Sequence, residues 1–196
     1  MRKVVVGTFL TLDGVMQAPG APQEDMEGGF KHGGWQMPYF DKDSGEIMNE
    51  SIAATEALLL GRKTYQIFAA YWPTAPADDP FGQKFNSIPK YVVSTTLDKA
   101  EWNNSMLIRS NIPEEVARLK QQPGSGIISV TGSGKLAQTL MKHNLVDEYV
   151  LWINPIVLGS GKRLFENGVA PSHLRLVDSK TTGSGVVVLT YQPDNK

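Results

Sequence analysis

The chain has no cysteine. That absence removes disulfide staples, thiolate metal sites and a cysteine nucleophile together. Histidine is scarce too: His32, His143 and His173 stand apart, at spacings that form no metal-ligand set. No apolar run is long enough to span a bilayer, so no membrane partner is expected. Neither sign of charge dominates, since 19 Lys and Arg against 20 Asp and Glu leave a net charge of -1. Without a basic block or an acidic tail, no nucleic-acid partner is expected either. Met1-Arg2-Lys3 passes at once into Val4-Val5-Val6, too short for a secretory signal, and reads as the start of a strand. The expected location is cytoplasmic.

What remains suits one domain with a sizeable core over residues 1–196, at 41% hydrophobic and 20% charged. Val4 to Leu10 and Ala57 to Leu60 read as buried strands, the second ended by Gly61. Between them, Thr11 to Met37 holds six glycines and two prolines and has no period, the composition of a lid or binding loop. Asp43 or Ser44 caps an expected helix over Glu46 to Thr55, and Arg62-Lys63-Thr64-Tyr65 opens a short helix that stops before Pro73. Residues 74–89 read as a surface excursion. Lys90 to Ser94, Met106 to Arg109, Gly126 to Thr131 and Asp147 to Asn154 follow as strands. Asn111 caps a helix with proline and acid in its first turn, and Lys135 to His143 forms another. Leu174 to Thr182 and Val186 to Gln192 form a hairpin around Gly183-Ser184-Gly185. The expected class is therefore α/β, a mostly parallel central sheet with a C-terminal antiparallel hairpin.

Thr131-Gly132-Ser133-Gly134-Lys135-Leu136 lies between a strand and a helix, where glycines bring backbone N–H groups close to phosphate. It is no P-loop: Ser129 stands where the first glycine belongs, and Leu136 where a magnesium-holding hydroxyl belongs. Gly132, Gly134 and Ala137 match the dinucleotide spacing, but no acid follows about 20 residues on to hold a ribose 2′-hydroxyl. A 2′-phosphate instead needs cations and hydroxyl donors. The sequence offers them at two further strand ends, Gly61-Arg62-Lys63-Thr64 and Ser94-Thr95-Thr96, so the expected cofactor is NADPH. A plain tight turn is the other reading of the glycines. Ser133 and Ser160 lie in no nucleophile elbow, which leaves a hydrolase without support.

These strand ends, with Thr11-Leu12-Asp13-Gly14-Val15 and Asn154-Pro155-Ile156-Val157-Leu158-Gly159-Ser160-Gly161, resemble the dihydrofolate reductase fold. They are most similar to the reductase domain of the bifunctional riboflavin-biosynthesis deaminase–reductase and its stand-alone relatives. The resemblance implies a three-layer fold, a small heterocycle as hydride acceptor (a riboflavin-precursor aminopyrimidine such as 5-amino-6-(5-phosphoribosylamino)uracil, or a pterin-like ring) and a homodimer. It implies that Arg62 and Thr64 hold phosphate oxygens, with Gly61 and Lys63 beside them at the cofactor and Ser94 and Thr95 around the 2′-phosphate. The backbone of Gly132, Ser133 and Gly134 would approach the pyrophosphate, supported by the dipole of the helix that begins at Lys135, with Thr131 and Leu136 flanking this cofactor turn, and Leu12, Gly14 and Val15 would border the nicotinamide. The deaminase half is absent, because its zinc site needs cysteine. Asp41 is the candidate proton donor, or else a helix-start carboxylate; Asp13 is a second candidate, or else a turn residue. Trp35 and Phe40 stack on a flat substrate or belong to the core. The alternative function is a non-catalytic NADP-binding or small-ligand sensor of the same fold.

Overall fold

The computed structural model describes residues 1–166 and 171–194. Eight strands form one sheet: β1 (Lys3–Thr11), β2 (Thr55–Gly61), β3 (Lys90–Val93), β4 (Ser105–Ile108), β5 (Ile127–Thr131), β6 (Glu148–Asn154), β7 (Leu174–Thr181) and β8 (Val187–Pro193). Their order is β4-β3-β2-β5-β1-β6-β8-β7. The six strands from β4 to β6 pair in parallel, and β8 is antiparallel to both β6 and β7. The mostly parallel sheet with an antiparallel C-terminal edge is as expected.

Five helices flank it: α1 (Lys42–Ala54), α2 (Arg62–Tyr71), α3 (Pro80–Ser87), α4 (Ile112–Gln121) and α5 (Gly134–Lys142). On one face, Val4, Val6, Leu59, Ile128 and Val130 pack with Val116 and Leu119 of α4 and Leu136 and Leu140 of α5. On the other, Leu58, Leu60 and Val92 pack with Tyr65 of α2 and Phe85 of α3, and Trp152 and Val188 pack with Ile47 and Met48 of α1. Parallel strands covered on both faces are apolar along their whole length, which is why Leu58, Leu59 and Leu60 are all fully buried. Three layers result.

Several boundaries differ from expectation, each for a local reason. Asp41, rather than Asp43 or Ser44, caps α1 through its carboxylate and the Ser44 N–H. The excursion at 74–89 contains α3: Asp79 accepts the N–H groups of Phe81 and Gly82, and Pro80 takes the first helical position. Asn111 precedes α4 in a left-handed conformation, φ 50°, and its side chain caps nothing. No helix among the described residues is long and apolar enough to cross a membrane.

The segment after β1 is no open loop. Val15, Ala18, Phe30 and Trp35 form a small core of their own, joined by Phe9, Ile156 and Leu158. Trp35 is buried and donates its Nε1–H to the Gln17 carbonyl at 2.7 Å. Of the two readings for Trp35, its burial in this small core fits the structural one.

Candidate functional site

The carboxyl ends of β2, β3 and β5 meet along one rim. Its centre is a reciprocal pair of hydrogen bonds between turns more than 60 residues apart in the chain. The Gly61 N–H donates to Ser133 Oγ at 3.0 Å, and the Ser133 N–H donates to Thr64 Oγ1 at 3.1 Å. A hydroxyl that accepts a backbone N–H must direct its own proton elsewhere, so Thr64 and Ser133 each retain one O–H for a further acceptor. Arg62 reaches the third strand end, donating to Thr96 Oγ1 at 2.8 Å. There Ser94 Oγ accepts the N–H groups of Thr96 and Leu97 and shapes the turn in which Thr95 is exposed.

The glycine turn is left-handed at both Gly132 (φ 57°) and Ser133 (φ 50°), which starts α5 one residue earlier than expected, at Gly134. The Gly132 N–H is committed to the Gly7 carbonyl. With the Ser133 N–H also engaged, the anion-seeking donors here are the first-turn N–H groups of α5, Gly134 to Leu136, which no helical carbonyl reaches. Of the expected run Gly132 to Gly134, only the Gly134 N–H stays open, so the available donors lie two residues further along the chain. Met16, in the segment after β1, closes this turn: a Cβ on Gly134 would stand 3.0 Å from its Sδ. Thr131 ends β5 opposite Gly7, and Leu136 turns its side chain into the core. Lys135 is exposed.

At the β1 end, Leu12 is 64% exposed and its N–H bonds the Ile156 carbonyl, while Val15 is fully buried. Gly14 takes φ 80° in the connecting turn. Asp13 is fully occupied. It accepts the Thr11 hydroxyl at 2.6 Å and the N–H groups of Leu158 and Gly159 at 3.1 and 2.8 Å. The Thr11 hydroxyl, with those N–H groups, outweighs burial and holds its carboxyl down at about 2. Asp41 is held well below the usual carboxylate range, first by the Ser44 N–H, against burial, with Ser184 assisting. Its two oxygens accept the Ser44 and Ser184 N–H groups, both at 2.8 Å, which ties α1 to the β7–β8 turn. An ionised carboxylate has no proton to give, and both acids are anchors in this geometry. Asp41→Asn keeps a capping side chain, so turnover is expected to stay within about threefold of the parent, where loss of a general acid would remove about a hundredfold or more. Steady-state rates of the two proteins decide between the roles. Phe40, 38% exposed, remains beside this anchor.

Four residues without a local sequence signal complete the rim. Glu27 pairs with both Lys63 and Lys162, and Asp25 pairs with Lys162. Lys63 is therefore already engaged. Hydrogen bonds from Lys162 and then Lys63 hold the Glu27 carboxyl down at about 2. Beneath them Gln17 is buried, its Nε2 donating to the carbonyls of Asp25 and Glu27, both at 3.0 Å, and its Oε1 accepting the Lys162 N–H at 3.1 Å. Only the fold brings residues 17, 27, 63 and 162 together.

Comparison with known proteins agrees with this architecture. The family model described as the RibD C-terminal domain matches residues 2–188. The uncharacterized protein YyaP of Bacillus subtilis (strain 168) is 32% identical over 195 residues, covering 97% of this chain and 94% of its own length. Among solved structures, a putative riboflavin biosynthesis protein from Shewanella sp. PV-4 has a TM-score of 0.72 at 20% identity, over 98% of this chain and 99% of that one. Dihydrofolate reductase from Enterococcus faecalis, complexed with NADP(H), has a TM-score of 0.59 at 14% identity, over 98% and 97% of the two chains.

Proposed function

The chain belongs to the RibD C-terminal domain family, with a dihydrofolate reductase-like fold, and from that premise we propose that it is an NADPH-dependent reductase of a small heterocyclic acceptor. A riboflavin-precursor aminopyrimidine or a pterin-like ring is the proposed substrate class. The observation that carries this reading is the interlocked rim, in which Gly61, Thr64 and Ser133 fasten two strand-end turns together and Arg62 spans to the third. The residues fit an anionic dinucleotide. Two helix N-termini, two hydroxyl protons without an assigned acceptor and one guanidinium face the same strand-end region. Gly132 places no side chain in the turn.

Bound there, a reduced nicotinamide would supply the hydride. The chain would supply the rest. Thr64, Ser133 and the α5 first turn would hold the pyrophosphate, and Arg62 and Thr96 the 2′-phosphate. Leu12 and its neighbours would exclude water from the β1 end. With Asp13 and Asp41 both ionised, the proton that accompanies the hydride is assigned to water.

The test is to follow NADPH absorbance across a panel of aminopyrimidine, pterin and quinonoid acceptors. Saturable, acceptor-dependent oxidation supports the reductase. The second reading is a sensor that binds the dinucleotide without turnover; tight binding with no oxidation by any acceptor would select it.

Arg62→Ala separates the cofactor's two forms. Losing a charge-assisted contact to phosphate is expected to weaken NADPH binding about 10- to 100-fold, while NADH binding changes by about twofold or less because it lacks that phosphate. Titration of both nucleotides by fluorescence checks it. An equal loss for both would remove Arg62 from the 2′-phosphate.

A further inference from the structure

We propose that Glu27 is a strap over the dinucleotide site, closing it by its contact with Lys63 so that cofactor enters and leaves only when that contact breaks. The inference rests on the cofactor reading above. It adds a gate made by residues which that reading does not use.

The strap has a rigid inner part and a breakable outer part. Gln17 is 4% exposed and uses its carboxamide to hold the Asp25 and Glu27 carbonyls and the Lys162 N–H. This fixes the turn carrying Glu27 against the loop after β6. Gly28 and Gly29 follow at φ 69° and 76°, left-handed values that let the chain reverse immediately beyond the carboxylate. The outer part is ionic. Glu27 bridges Lys162, on the loop that Gln17 grips, to Lys63, on the first turn of α2. Lys63 stands between Arg62 and Thr64, the two residues tied to the other strand ends. The contact thus joins the covering segment to the rim itself.

The groups suit a gate better than a permanent staple. Glu27 and Lys63 are about half exposed, at 55% and 51% of their side chains, so water and salt compete for the pair. Exposed pairs of this kind hold weakly, enough to change opening rates severalfold without locking the site. Asp25 keeps Lys162 in place when Glu27 lets go, because it pairs with the same ammonium.

The experiment compares wild type with Glu27→Gln, which keeps the side-chain shape and removes the charge. Stopped-flow fluorescence with NADPH gives association and dissociation rates. Both are expected to rise about three- to tenfold in the variant, with the dissociation constant changing by about twofold or less, and the difference is expected to vanish near 0.5 M salt. Unchanged rates overturn the strap. Tighter binding through a slower dissociation rate also overturns it, because Glu27 would then be a competitor of the phosphates. Hydrogen exchange on the cofactor-free proteins gives an independent readout, with faster exchange expected at residues 17–34 of the variant. If wild type binds no NADPH, the cofactor reading fails on its own. The exchange result then decides the strap: unchanged protection rejects the closure, and faster exchange retains it for whatever ligand the rim takes.

Discussion

Replacing Gly161 by alanine is expected to lower stability by about 3 kcal/mol or more. Two costs combine. Gly161 has φ 129°, a conformation that an L side chain rarely adopts, and an added Cβ would lie 2.6 Å from Val15 Cγ1 and 2.9 Å from Phe30 Cε2. Both neighbours belong to the small core of the segment after β1, and Val15 is fully buried. Neither can yield without opening that core. Gly159 supplies the control: its φ is 75° but nothing lies within 4 Å of a Cβ there. Gly159→Ala should therefore cost about 1–2 kcal/mol, from backbone strain alone. Urea unfolding of the three proteins measures the difference. Equal losses at the two glycines would mean that the close approach between the β6–β7 loop and the segment after β1 is absent. Because Lys162 adjoins Gly161, the alanine variant is also expected to expose residues 17–34 to proteolysis before the protein unfolds globally.

Raising the pH from 7.5 to 10 is expected to stabilise the protein by about 2 kcal/mol through Lys90 alone. The Lys90 side chain is fully buried at the start of β3. Its ammonium donates to the Asn86 and Asn103 carbonyls at 3.1 and 2.8 Å and lies 4.3 Å from the Trp102 ring centre. Carbonyl dipoles and a π face replace part of its hydration, and burial lowers its pKa from 10.5 to about 8. The sign follows from proton counting. Below pH 8 the amine is charged in both states, and the folded state carries the whole desolvation penalty. Between pH 8 and 10.5 the folded amine has lost its proton while the unfolded one keeps it, so stability rises with pH. Tyr149 acts oppositely above pH 10, since burial pushes its hydroxyl up to about 12 while the unfolded phenol ionises. Lys90→Met retains Tyr149, so the difference between the two stability curves isolates the lysine. Parallel curves would show that Lys90 keeps its ordinary affinity for protons.

Much of the fold was legible because the physics was local. Val4 to Leu10, Ala57 to Leu60 and Gly126 to Thr131 announce buried parallel strands by continuous apolar character, and the structure pairs them side by side as β1, β2 and β5. The dinucleotide-like glycines were legible as a strand-to-helix turn. Their donors were not, because the Ser133 N–H is taken by Thr64, 69 residues away. Asp79-Pro80 carried a readable helix start, obscured by the prolines around it. For Asp41 and Asp13 the local sequence leaves a proton donor and a capping or turn residue both open; in the structure each is an anchor whose partners, Ser184 and Gly159, come from distant turns.

Local pattern along the chain suffices for the parallel sheet, its terminal hairpin and the chemical kinds of group at the strand ends. Apolar periodicity, glycines and hydroxyl or cationic residues express those features over a few neighbouring positions. Packing fixes which groups remain available: Trp35 is core, Asp41 a cap, Lys63 the partner of Glu27, and Gln17 the buried tie beneath them. A hydrogen-bond donor or a charge has a use only after its partners are known. Those partners meet when the layers pack, at separations along the chain that no local pattern encodes.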